Sequence, residues 1–384
     1  MELTLVRLAG SEELPTLVVG PSLGTSVTAL WGQCAELLGD RFHVVGWELP
    51  GHGRGTPAES SFTVEDLAAA VLAGVDRTLG PQAFGYAGDS IGGAVGFHLA
   101  LAAPDRLTGV GVLCTGARIG TPEGWHERAA LVRASGTPVM VEGSATRWFA
   151  AGFLERRPEA GAALLASLQD ADKESYSLAC EALAAYDVRD RLSSIHVPLL
   201  AIGGREDGAA PADRLAADAA AVPGGRFVEL DGVAHQAPVE APTTVATLLA
   251  DLLRDPRHDA VLGAGMAVRR SVLGDAHVDR AVAGTTDVNR DFQDFITRYA
   301  WGSIWTRPGL ARRDRSIAVL TALIAGRHFE ELEFHLRAAL TNGLTREEIV
   351  EVLLQSAVYV GVPAANTAFG VANRVLAEPP PSDR

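Results

Sequence analysis

Lysine is almost missing from this chain of 384 residues, with Lys173 the single instance. That excludes a GK[ST] phosphate loop and leaves little scope for Schiff-base catalysis. Cysteine is nearly as scarce. Cys34, Cys114 and Cys180 are odd in number and far apart, and neither a CxxC pair nor a Cys/His cluster occurs. A disulfide framework and a zinc site are therefore not expected, and a reducing cytoplasm fits. No charge-free apolar run reaches the ~18 residues a membrane span needs. The start, Met1-Glu2-Leu3-Thr4-Leu5-Val6, has neither the basic region nor the long apolar stretch of a secretory signal. A soluble protein that is not secreted is expected. Excess positive charge is absent as well. The formal net charge is −14, and from Pro256 onward 15 arginines balance 15 acidic residues, so the whole excess lies in the first 255 residues. An acidic N-terminal half disfavours nucleic acid or anionic membrane as partner, but leaves small anions open, because a few pocket arginines override a weak long-range field.

What is present divides into two patterns. Short apolar runs bounded by Gly and Pro predict buried parallel strands at Leu14–Val19, Phe42–Trp47, Ala83–Ala87, Gly109–Cys114, Val197–Ile202 and Arg226–Leu230. Between them lie helical stripes. Val64, Leu67, Ala68, Val71, Leu72, Val75 and Leu79 share one face, opened by Thr63 and Asp66 as an acidic capping box. Strand-helix alternation implies a mostly parallel sheet with helices on both faces over residues 1–253. It stops at about 116–195, which reads as a helical cap over the sheet. Residues 254–259 read as a linker, 260–378 as an all-helical domain, and the proline-rich 379–384 as a frayed tail. Within the second domain, Asn342-Gly343 stops one helix, and Thr345 with Glu348 opens the next.

The sharpest chemical signal is Gly88-Asp89-Ser90-Ile91-Gly92, a Gly-x-Ser-x-Gly between an apolar strand and an Ala/Gly-rich helix. A nucleophile held on a sharp strand-to-helix turn needs small neighbours, and the helix N-terminus favours negative charge on the substrate oxygen. Ser90 is the candidate nucleophile. In this arrangement the acid and then the histidine follow along the chain. His235, in the loop after the last strand, is the candidate base, and Asp207 the acid that fixes its tautomer, with Glu206 and Asp231 as rivals. One oxyanion-hole N–H should come from Ile91, and the other, by position, from Leu23 in the Gly20–Thr25 loop. His52, His98, His126 and His196 read as structural or surface residues, and Pro50–Gly55 as a tight turn rather than a phosphate cradle.

Over about residues 1–253, Pro21-Ser22-Leu23-Gly24-Thr25, Pro50-Gly51-His52-Gly53-Arg54, Gly88–Gly93 and Cys114–Gly120 resemble the 3-oxoadipate enol-lactonase family of α/β hydrolases. The resemblance implies an acid-binding pocket shaped by Trp125, with Arg128 as a carboxylate partner. Over about 259–378, Gly265–Arg270, Tyr299–Gly309, Glu331–Ala339 and Gly361–Asn366 resemble the 4-carboxymuconolactone decarboxylase family, which shares its helical fold with alkylhydroperoxidase-like proteins. The peroxidase branch uses a CxxC pair, which this chain lacks. The resemblance also implies a homo-oligomer, a trimer or hexamer, built through the C-terminal domain.

Together the two resemblances imply a bifunctional enzyme of protocatechuate catabolism, since the decarboxylase product is the lactone that the hydrolase consumes. The carboxylate to be lost is vinylogous to the lactone carbonyl, which serves as electron sink, so neither metal nor organic cofactor is expected. Glu331 and His335, four apart on one helix face, would on their own read as a stabilising surface pair. The resemblance turns them into an orienting carboxylate and a proton donor or electrophile. Arg269, Arg270, Arg307 and Arg337 are candidate carboxylate binders that the sequence does not rank. The competing reading is a serine esterase or lactonase of other specificity, with a helical domain that only mediates assembly.

Overall fold

The computed structural model describes residues 1–254, 256–286 and 288–377, the side chains of 256–259 excepted; the tail read as frayed lies outside them. The chain divides into two compact units, Met1–Leu253 and Arg254–Arg384.

In the first unit, seven strands form one sheet: β1 (Leu5–Ala9), β2 (Thr16–Gly20), β3 (His43–Trp47), β4 (Phe84–Asp89), β5 (Leu107–Leu113), β6 (Leu199–Gly204) and β7 (Arg226–Leu230). Their order is β1-β3-β2-β4-β5-β6-β7. All pairings are parallel except β1 with β3. The inner strands β2, β3, β4 and β6 are buried at every residue, which explains their unbroken apolar runs. β1 is the strand the periodicity missed. It is an edge strand with only Val6 fully buried, so it carries neither a continuous apolar run nor a clean alternation.

Chain direction across the sheet reverses between β2 and β4. From β2 the chain steps to β3 on one side, and from β4 to β5 on the other. Open α/β sheets bind ligands beyond the carboxyl ends of strands at such a point. The Gly20–Thr25 loop and Ser90 both leave the sheet there. Cap helices run from Pro122–Ser135 to Lys173–Ala185 within the segment expected to be helical. The Thr63/Asp66 capping box forms as the sequence indicates.

The second unit is helical throughout its described residues. Leu320, Ile324, Leu332, Leu336, Leu353 and Val371 build its core. Thr345 and Glu348 cap the helix Arg346–Val360 reciprocally. Two features depart from expectation. The helix Pro256–Leu273 begins inside the segment read as a linker, with proline at its first position, where the missing N–H costs nothing. The segment Thr297–Trp305 is a π-helix. It crosses Pro256–Leu273 at two glycines, a Cβ on Gly265 falling 2.2 Å from the Thr297 carbonyl oxygen and one on Gly302 2.5 Å from that of Val261.

The two glycines of the serine motif make equally close approaches. A Cβ on Gly88 would lie 2.1 Å from the Gly92 oxygen, and one on Gly92 2.7 Å from the Gly20 carbonyl carbon and Pro21 oxygen. Backbone crosses backbone here, so no side chain can yield. Gly88→Ala should therefore cost about 1–3 kcal/mol through overpacking, seen as a lowered urea midpoint with unchanged slope. A midpoint equal to that of the parent protein would contradict this packing.

Candidate active site

Ser90 lies between β4 and the helix Ile91–Ala102 at φ 53° and ψ −114°, a conformation an L-residue adopts only under constraint. The constraint is visible. Its N–H donates to the Leu113 carbonyl (2.8 Å), its own carbonyl accepts from Thr115 Oγ1 (2.7 Å), and the Gly92 N–H donates to Pro21 (3.0 Å). The buried Tyr86 hydroxyl donates to the Gly92 carbonyl at 2.8 Å. The turn is thus clamped from β5, from the β2 loop and from beneath.

Three side chains from separate loops meet there. His235 Nε2 is 3.0 Å from Ser90 Oγ, and His235 Nδ1 is 2.8 Å from Asp207 Oδ2. Asp207 Oδ1 accepts from the N–H groups of Ala209 (2.8 Å) and Ala210 (2.9 Å), which fixes the carboxylate plane. The rival acids are occupied elsewhere. Glu206 accepts from the Ala151 N–H at 2.9 Å, and Asp231 pairs with Arg205. All three members are buried. Beside Ser90, Asp89 has no hydrogen-bond partner on either oxygen among the described residues. Burial, then the nearby Asp207 and Glu240, pushes its pKa well above the carboxylate range, which disfavours a charge behind Ser90.

Ser90 and His235 open into a cavity of about 260 Å³ that Leu23 also lines. Ser22 and Thr25 tie the Leu23 turn by hydrogen bonds of 2.9–3.2 Å. Ile91, fully buried, begins the helix behind Ser90. The roof comes from the cap: Trp125, Arg128, Arg147, Trp148 and Tyr176. The Arg128 guanidinium lies 4.7 Å from the centre of the Trp125 ring, and Trp125 Nε1 donates to the Ile119 carbonyl at 2.6 Å. Among the described residues neither Arg128 nor Arg147 forms an ion pair with an acidic side chain. Burial and then the charge of Arg128 lower the pKa of Arg147, so a bound anion would relieve both. Sequence reasoning missed Arg147, Trp148 and Tyr176, because only the fold of the cap brings them over Ser90. His52 and His98 are structural, as expected: His52 is buried against the Pro50 carbonyl at 2.8 Å, and His98 packs on Tyr186.

In the second unit the candidates separate. His335 belongs to a row of rings, with His277 4.9 Å from Phe334 and Phe334 5.1 Å from His335. Burial, and then His277, lowers the His335 pKa to about 4, while the charge of Glu331 opposes weakly. Glu331 is exposed, and among the described residues no hydrogen bond joins it to His335. Arg269 is 5% exposed; its guanidinium donates to Thr297 Oγ1 and Gln293 Oε1 at 3.1 Å each, with Nε unpartnered among the described residues. Arg270 instead pairs with Asp275 (3.0 Å) and Asp279 (2.8 Å) at the surface. Arg307 is exposed beyond the π-helix. Arg337 donates to Glu333 (3.1 Å), one turn back on its own helix. His277 carried no sequence signal beyond being a lone histidine.

Residues 17–248 match the alpha/beta hydrolase family, and residues 290–374 the carboxymuconolactone decarboxylase family. The chain is 36% identical to 3-oxoadipate enol-lactonase 2 of Acinetobacter baylyi over 52% of its own length and 73% of the relative's. It is 45% identical to the 4-carboxymuconolactone decarboxylase of the same organism, over 29% of its own length and 84% of the relative's. The crystal structure of the enol-lactonase from Burkholderia xenovorans superimposes with a TM-score of 0.63 at 33% identity, over 66% of this chain and 96% of that one.

The acid assignment has a direct test. In Asp207→Asn an amide N–H would face His235 Nδ1 and force the tautomer whose Nε2 bears the proton, removing the base. Phosphonylation of Ser90 should slow by about 10,000-fold while the fold persists, as followed by mass spectrometry. An undiminished rate would mean that Asp207 does not orient the histidine.

Proposed function

Because this chain belongs to the alpha/beta hydrolase family in its first unit and to the carboxymuconolactone decarboxylase family in its second, we propose that it is a bifunctional enzyme of 3-oxoadipate formation. The second unit decarboxylates 4-carboxymuconolactone, and the first hydrolyses the resulting enol-lactone. The observation that carries the hydrolase reading is the hydrogen-bonded chain Ser90–His235–Asp207 beneath a cap that offers two guanidiniums without acidic partners among the described residues.

In the hydrolytic step His235 Nε2 takes the Ser90 proton as Oγ bonds to the lactone carbonyl carbon. The N–H groups of Ile91 and Leu23 hold the oxyanion, and Asp207 stabilises the imidazolium. Collapse breaks the ring C–O bond. The departing oxygen leaves as an enolate, takes the proton back from His235, and ketonises to the 3-oxo group. Water, deprotonated by His235, then cleaves the acyl-enzyme to a carboxylate and frees Ser90. Arg128 and Arg147 hold the carboxylate that the substrate already carries.

In decarboxylation the C–CO₂ bond breaks and its electron pair passes through the conjugated C=C into the lactone carbonyl, releasing CO₂. The electron pair then returns from the oxyanion as the carbon next to that carbonyl takes up a proton, passed from His335 N–H and replaced from water, to give the enol-lactone. Arg269, buried and with Nε unpartnered, clamps a substrate carboxylate in this reading. A histidine with a pKa of about 4 is neutral at pH 7, so His335 acts by N–H donation to the developing oxyanion rather than as an imidazolium. Glu331 then acts through charge alone. Arg270 and Arg307 have the weaker claim to substrate, one by its ion pairs and the other by its exposure.

Exposed apolar side chains in the second unit, among them Val358 (78%), Tyr359 (78%) and Val362 (75%), support a homo-oligomer with this surface covered by further copies of the chain. The three free, buried cysteines support a reducing, cytoplasmic setting.

Three outcomes test the reading. With 4-carboxymuconolactone, His335→Gln should slow CO₂ release by about 100-fold or more and leave hydrolysis of supplied enol-lactone intact; equal release from both proteins would remove His335 from the chemistry. The parent protein's CO₂ release should hold steady from about pH 8 down to about pH 5.5, since His335 gains its proton only near its lowered pKa. A rise towards pH 6 would instead show that the imidazolium is the active form. Finally, Arg128→Gln and Arg147→Gln should each raise KM for the carboxylate-bearing lactone about tenfold or more. Turnover of neutral p-nitrophenyl acetate should change little by comparison. Parallel losses on both substrates would show that the arginines shape the pocket without reading charge.

A further inference from the structure

The loop that carries His235 is held on both sides. On one side it lies against the end of β6 so closely that a Cβ on Gly204 would be 2.1 Å from the Ala234 carbonyl oxygen. On the other, Glu240 Oε1 accepts from the N–H groups of Ala234 (3.0 Å) and Gln236 (3.1 Å), the two residues flanking His235. The second oxygen, Oε2, accepts from the Ala150 N–H at 2.7 Å, in the cap. Two neighbouring bonds join the same cap segment to the same machinery. The His235 N–H donates to the Trp148 carbonyl at 3.1 Å, and Glu206, next to Asp207, accepts from the Ala151 N–H at 2.9 Å. Arg147 and Trp148, which roof the cavity over Ser90, lead directly into this segment. Burial raises the Glu240 pKa, while its three N–H bonds and His235 favour the carboxylate.

A carboxylate that leaves water to accept three backbone N–H bonds is costly to bury, and simpler residues could end the short helix Ala237–Glu240. We infer that Glu240 is a positioning residue of the hydrolase site: it clasps the loop on either side of His235 and locks the cap segment Trp148–Ala151 to that loop. Substrate held under the cap and the base that acts on it are thereby placed by one carboxylate. The inference rests on Ser90 and His235 being the hydrolytic pair.

Two variants of the full chain separate the two halves of the role. In Glu240→Gln the amide oxygen can still accept from Ala234 and Gln236, but its NH₂ faces the Ala150 N–H, so the cap bond is lost first. In Glu240→Ala both are lost. KM for a carboxylate-bearing lactone should rise about fivefold or more in both, and Ser90 phosphonylation should slow about 30-fold or more in Glu240→Ala and clearly less in Glu240→Gln. The low-field proton resonance of His235 Nδ1–H should shift or broaden in Glu240→Ala. Folded variants that keep the parent KM, labelling rate and resonance would overturn the inference and leave the hydrolase reading standing. If Glu240→Ala does not fold, Glu240→Gln decides alone, an unchanged KM overturning the cap lock. A parent protein that takes no label at Ser90 would instead sink the hydrolase reading, and this inference with it.

Discussion

The backbone of Ser90 is held at φ 53°, and the arrangement of the proposed hydrolase site depends on that constraint. Such a conformation costs of order 1–3 kcal/mol and persists only where its surroundings over-determine it. Gly88 and Gly92 permit the crossing of backbones that forces the turn, while Leu113 and Thr115 at the end of β5, Pro21 after β2 and Tyr86 beneath bond it from three directions. The strands β2 and β4, from whose ends the Gly20–Thr25 loop and Ser90 leave the sheet, are buried at every residue, so the turn rests on a packed base. With the serine fixed, the loops after β6 and β7 need only deliver Asp207 and His235 to the same edge of the sheet.

Charge is distributed to suit the chemistry. The first unit carries the whole negative excess of the chain, yet the cavity above Ser90 presents Arg128 and Arg147. On the proposed reading, a small anion entering this acidic unit is recognised locally, at short range and out of bulk water, where a guanidinium is worth most. Asp89 illustrates the complement: beside Ser90, burial raises the pKa of this acid and so disfavours its charge. On the proposed reading, a buried arginine and a neutral histidine in the second unit supply a clamp and a donor without an ionised pair to desolvate. The two proposed reactions are linked by chemistry, since the first releases the lactone that the second opens.

Much of this was legible from the residues in order. The inner strands announced themselves as unbroken apolar runs, the capping boxes at Thr63 and Thr345 form as written, and Ser90, Asp207 and His235 meet as their chain order implied. What escaped did so for identifiable reasons. β1 is an edge strand with little buried surface to impose a pattern. The start of the helix Pro256–Leu273 was hidden in a polar stretch that resembled a linker. Arg147 and Trp148 belong to one cap helix and Tyr176 to another, a convergence that is tertiary, and Glu240 bonds to backbone N–H groups, which no side-chain pattern reports. The arginines of the second unit could not be ranked in advance, because Arg269 is distinguished from Arg270 only by which way the helix buries it.

The central claim is that one chain carries two sequential active sites, and a time course of 4-carboxymuconolactone with Ser90→Ala, followed by NMR with trapping of CO₂, tests it most directly. On this account the variant releases CO₂ at the parent rate and accumulates the enol-lactone, whereas the parent protein carries the same carbon skeleton through to 3-oxoadipate. Formation of 3-oxoadipate by Ser90→Ala beyond the uncatalysed rate, or failure of both proteins to release CO₂, would contradict it.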